Sequence, residues 1–209
     1  MRTRPVDGNV DTAGGSIVGM ELTRERVERE AGEYETEGQL YAVEQQQVDI
    51  FPEMVRDDEF GWRDVEWVVQ WYYRRYLGAY PDDERRASEE AFADNGYEDV
   101  RGVLAAVTDA DDTGERLRHL TSLHGVDVPV GSAFLLFLFP AQYVVVGERE
   151  WTALREAGEL DAAYPDPPSI DEYLTYHGVC RDLCDRFDVD AWALYRALWR
   201  IGGDRGSSP

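Results

Sequence analysis

Residues 122–150 read SLHGVDVPVGSAFLLFLFPAQYVVVGERE. The polar start and the Gly125-Val126 pair mark a turn, because glycine admits positive φ and close backbone approach. Pro129 sits at the head of an apolar helix expected over about 129–139. Pro140 follows it, since proline cannot continue a helix. Residues 143–146 are β-prone, but four residues with no partner run do not make a sheet. A further helix is expected from Glu148 to Ala157, with Glu148 and Glu150 matching the positive end of its dipole.

Outward from this stretch the pattern is helical almost throughout. Thr23 offers an N-cap ahead of 24–31, and Gly32 is expected to end that helix. A longer helix is expected from Thr36 to about Val55, interrupted near Pro52. WRDVEWVVQWYYRRYL, 62–77, is a strong helix ended by Gly78. Further helices are expected over 81–93, 97–107, 114–123, 170–187 and 191–201, with Asp112-Thr113 and Ser169 as caps. The reading is an all-α fold: a multi-helix bundle of roughly nine helices in one domain over 21–201. Residues 1–20 are Gly-rich and aperiodic and read as a disordered tail, with Met20 a second candidate start; 202–209 read as a second disordered tail.

Formal net charge is −22, and all 21 basic residues are Arg. The acids are spread along the whole chain, the pattern of an acidic surface adapted to a salt-rich cytosol. An acidic protein that mimics DNA or binds a basic partner is the sharper alternative. No apolar run approaches the roughly 18 residues of a membrane span, so no membrane association is expected and the setting is cytoplasmic. Two cysteines, Cys180 and Cys184, are no disulfide framework and are expected as reduced thiols.

Leu123, Gly125 and Val126 in LHGVDVP, the Ala-containing apolar helix behind them, Pro140 and the run 143–146 resemble the helix-hairpin-helix DNA glycosylases. The likeness covers about 97–160. It implies a helix-hairpin-helix element inside the bundle and duplex DNA as partner. The amides of the turn and of the next helix start, including Gly131 and Ser132, would cradle a DNA phosphate, with a monovalent cation at the hairpin as the only candidate cofactor. Arg116, Arg118 and Arg149 would supply the nearby positive charge. Residues 20–201 also resemble a family of haloarchaeal proteins with similar GWRDVEW, VVVGERE and Arg-Ala-Leu-Trp segments. That likeness implies a cellular setting and no particular activity.

The departures from the glycosylase pattern are specific. The second hairpin glycine is Asp127, and Val128 lengthens the turn. The catalytic aspartate that follows the β-branched run is Gly147, which can neither stabilise an oxocarbenium-like sugar nor orient water. Glu148 stands one residue on, which turns a side chain by roughly 100° at a helix start. Glu148 is thus the one catalytic candidate, and any enzyme here is expected to be a monofunctional hydrolase: the bifunctional lyases form a Schiff base through a Lys amine, and with no Lys in the chain that route is closed except through the α-amino terminus. Two cysteines also cannot supply an iron–sulfur cluster.

Two other constellations admit paired readings. His177, Cys180 and Cys184 share a helical face and could meet Zn²⁺ with a fourth ligand, or form a packed stripe. The aromatics of 62–77 beside Arg74 and Arg75 could stack on single-stranded nucleic acid, or fill a central core helix. The leading functional expectation is a DNA-associated protein, glycosylase-like in shape and lacking the catalytic aspartate. The alternative is a non-catalytic interaction or scaffold protein that does not bind nucleic acid.

Overall fold

The computed structural model describes residues 21–203; the tail expected over 1–20 and positions 204–209 of the second tail lie outside the described residues. The described residues form ten helices and no strand: α1 (Arg24–Glu37), α2 (Tyr41–Arg56), α3 (Trp62–Arg74), α4 (Asp82–Ala93), α5 (Tyr97–Asp109), α6 (Thr113–Leu120), α7 (Val128–Leu138), α8 (Glu148–Glu156), α9 (Ile170–Phe187) and α10 (Ala191–Gly203). The expected all-α multi-helix bundle is the architecture, and each of the ten helices overlaps one of the ranges expected above. None of these helices is long and apolar enough to cross a membrane.

Local chemistry sets many of the starts. The Thr23 hydroxyl accepts from Arg26 N, and Asp112 Oδ1 accepts from Glu115 N at 2.9 Å. Ser169 and Glu172 close a reciprocal capping box on α9.

Several expected boundaries move. Gly32 does not end α1, because Val27, Ala31 and Tyr34 bury one continuous face across it; Thr36 therefore belongs to α1, and α2 begins only at Tyr41. Pro52 lies inside α2, held on either side by the buried Val48, Phe51 and Val55. α3 stops at Arg74, and Leu77 takes φ 52°. α6 ends at Leu120, where the Thr121 and Ser122 hydroxyls turn back onto the Leu117 and His119 carbonyls. Gly202 and Gly203, assigned above to the tail, complete α10, and Gly202 lies against the Arg149 backbone.

Every residue of α7 is buried, as its apolar sequence requires. α2, α3 and α6 pack on α7, while α10 packs on α1, α8 and α9. Each fully buried Phe or Leu of α7 contributes about 1.5–3 kcal/mol of transfer free energy. The β-prone run 143–146 is buried without a strand partner. Tyrosines answer its carbonyls: Tyr173 donates to Val144 O at 3.2 Å, Tyr176 to Val145 O at 2.8 Å and Tyr72 to Val146 O at 3.4 Å. Val146 N donates to Ser132 Oγ at 3.0 Å. Hydroxyls from α9, α3 and α7 thereby meet the requirement that buried backbone groups be paired.

Two buried acids knit the helices further. Glu44 is fully buried and accepts from Tyr34 OH at 2.8 Å and Trp71 Nε1 at 2.7 Å, joining α2 to α1 and α3. Burial pushes its carboxyl up, against the hydrogen bonds of Trp71 and Tyr34. Glu150 is fully buried and accepts from Arg75 Nη1 at 2.5 Å.

Candidate functional site

The turn between α6 and α7 spends several of its polar groups internally. His124 N donates to Asn95 Oδ1 at 2.9 Å, and Asn95 Nδ2 donates back to His124 O at 3.0 Å. Gly125 O accepts the Ser88 hydroxyl at 2.9 Å, and Val126 N donates to Leu123 O at 3.3 Å. Asp127 caps α7 by accepting from Val130 N at 2.9 Å. Gly125 has φ 73° and presses on α4, where a Cβ would overlap the Ser88 carbonyl and lie 2.6 Å from Phe92 N.

The other residues expected at a phosphate cradle face inward. Leu123 and Val126 belong to the core. Gly131 is buried under Leu117, and its N–H donates to Asp127 O. Ser132 is fully buried, donating to Pro129 O at 2.6 Å while it accepts from Val146 N.

The three expected arginines part company. Arg116 donates to Ala110 O and to Tyr143 OH, both at 2.9 Å, and covers the Phe139 ring at 4.1 Å. Arg118 lies 3.6 Å from Asp112. Arg149 lies 4.2 Å from the Trp199 ring centre and 5.5 Å from that of Tyr76.

Glu148 and Arg149 do meet the end of the turn. Together with Asp127 and Pro129 they line a cavity of about 370 Å³. α3 supplies Tyr72, the connection between α3 and α4 Tyr76 and Tyr80, α4 Glu84, and the loop before α9 Tyr164 and Asp166. Tyr76 and Tyr80 adjoin, with ring centres 5.4 Å apart and planes at 52°. Burial, then the carboxylates of Glu84 and Asp127, push the Tyr80 hydroxyl up to about 12. Surrounding protein also raises the Asp127 carboxyl, opposed by the hydrogen bond from Val130 N.

Gly147, at the position expected for an aspartate, is buried between this cavity and the Arg75–Glu150 pair. A Cβ there would lie 2.5 Å from Arg75 Nη2, 2.7 Å from Glu150 Oε2 and 2.9 Å from Tyr76 OH. Arg75 sits within 6 Å of five ring centres, closest to Tyr72 at 4.5 Å and Trp199 at 4.7 Å. Glu150 Oε2 is buried without a hydrogen-bond partner. Glu150 was expected only as a helix-dipole partner; the signal missed is its place beside Trp151, Ala153 and Leu154 on the buried face of α8.

His177 stacks against Tyr143 at 4.8 Å and Tyr173 at 6.0 Å, beside the buried Cys180. It lines a second cavity, of about 410 Å³, with Arg116, Arg181 and Cys184. Among the described residues no three or more His, Cys, Asp or Glu are grouped to hold a metal ion. Burial pushes the Cys184 thiol up to about 11, which keeps it protonated at neutral pH. Trp71, Tyr72 and Tyr73 of α3 are buried, as the core-helix reading expects.

Burial, and then Arg181, push His177 down to about 4 from its ordinary 6.5. The unfolded chain therefore takes up this proton first as pH falls. The associated stability is intact above about pH 6.5 and is lost on the way down to pH 4, by about 2–3 kcal/mol at pH 4.5. His177→Phe keeps the stacking and loses no hydrogen bond at Nδ1, which has no partner. Urea unfolding at pH 7 and 4.5 checks this: the wild type should lose more stability than the variant by that amount.

The chain matches no family model, no curated protein and no solved structure.

Proposed function

We propose that this chain is a non-catalytic binding protein that works through the cavity at the foot of the 121–127 turn and does not hold duplex DNA. The observation that carries this reading is the state of the turn. Its His124 and Val126 amides, and that of Val130 behind it, already donate within the chain. The positive end of α7 already faces an anion, Asp127. The carbonyls that would hold a monovalent cation, those of His124 and Gly125, already accept from Asn95 and Ser88.

Charge supports the same reading. Glu148 shares its cavity with Asp127, Glu84 and Asp166, so a phosphate within reach of Glu148 would face four carboxylates against one guanidinium, Arg149. Arg116 and Arg118 lie away from this cavity and are engaged with Tyr143 and Asp112. The glycosylase-like features that remain are a tight glycine turn and the apolar helix after it, both of which serve core packing here.

Fluorescence anisotropy with intact and abasic duplexes, in low salt and in molar KCl, tests the proposal. No saturable binding is expected in either. Saturable binding whose logarithm falls linearly with log salt would overturn it, since that slope counts displaced counterions.

A further inference from the structure

We propose that the tyrosine- and carboxylate-lined cavity between the end of α3 and the start of α8 takes a small organic cation, an alkylammonium or guanidinium head on a short apolar body. This deepens the binding-protein reading above and rests on it. The walls are aromatic: Tyr76 and Tyr80 adjoin at 5.4 Å, and Tyr164 is fixed from behind by Trp151, with ring centres 5.9 Å apart. Aromatic faces attract cations through the ring quadrupole, more strongly where water is excluded. Two cations already use this cluster: Arg75 lies 5.1 Å from the Tyr76 ring centre on the buried side, and the Arg149 guanidinium lies between Tyr76 and Trp199.

The rim carries the charge to match. Glu84, Asp127, Glu148 and Asp166 line the same cavity, and none of them enters an ion pair among the described residues. Asp127 uses one oxygen, Oδ1, for the α7 cap. A volume of about 370 Å³ suits a small organic molecule better than a single inorganic ion. The wider cavity of about 810 Å³ beside α5 offers no comparable site, because its Arg101 is paired with Asp58 and Glu98.

Isothermal titration calorimetry of the full chain in about 1 M KCl, where non-specific attraction is screened, tests the proposal with choline, agmatine and the neutral choline isostere 3,3-dimethylbutanol. The expected result is 1:1 saturation by choline or agmatine, whichever head group fits, and none by the alcohol. Asp127→Asn removes the charge but keeps an equally good helix cap, so the fold is preserved and affinity should fall about tenfold. Tyr80→Leu should weaken binding similarly, with circular dichroism and thermal melting confirming the fold of both variants. Failure of both cations to saturate below about 10 mM, equal uptake of the alcohol, or unchanged affinity in Asp127→Asn would overturn the proposal. If the cations fail while duplex DNA also fails to bind, only this inference falls; if DNA binds, the reading beneath it falls.

Discussion

Glu150→Ala is expected to lower the free energy of unfolding by about 3–5 kcal/mol, a large part of what a domain of this size has. Glu150 and Arg75 are both fully buried and paired at 2.5 Å, and no other ion pair among the described residues includes Arg75. Removing the carboxylate leaves a guanidinium that its ring neighbours stabilise only in part. The complementary double variant, Arg75→Met with Glu150→Leu, should recover most of the loss, because an apolar pair of similar volume has no desolvation to offset. Urea unfolding of the wild type, both single variants and the double variant measures the coupling. Additive effects of the two substitutions would refute this account of the pair.

Gly125→Ala is the second large effect, expected at about 2–4 kcal/mol. Two causes add: a side chain at φ 73°, and a Cβ driven into the α4 backbone at Ser88 and Phe92. Gly158 supplies the control, with φ 78° and no atom within 4 Å of its Cβ position. Gly158→Ala should therefore cost only the backbone term, about 1–2 kcal/mol. Thermal melting of both variants separates strain from overlap. If the turn instead gripped a phosphate, Gly125→Ala would change binding more than stability. Equal stability losses in the two variants would remove the packing role assigned to Gly125.

Sequence and structure agree where neighbours in the chain decide the outcome. Asp112 and Ser169 announce their helices because a cap needs only a side chain and an amide three residues on. The period of α9 and the unbroken apolar stretch of α7 are local signals of the same kind. Boundaries slipped where distant packing outweighed a breaker, as at Gly32 within α1 and Pro52 within α2.

The sequence by itself determined that the chain is helical and that a tight turn precedes a buried helix. These follow from periodicity, capping and the chemistry of single residues. Only the tertiary structure decided what surrounds the turn and the carboxylates. Asn95 and Ser88, 29 and 37 residues away in the chain with α5 and α6 between, take polar groups of the turn. Tyr76 and Tyr80 from the α3–α4 connection and Tyr164 from the loop before α9 come together beside Glu148 and Asp127. Hydrogen bonding, electrostatics and ring contacts depend on distance through space, and no local pattern records which remote side chains arrive there.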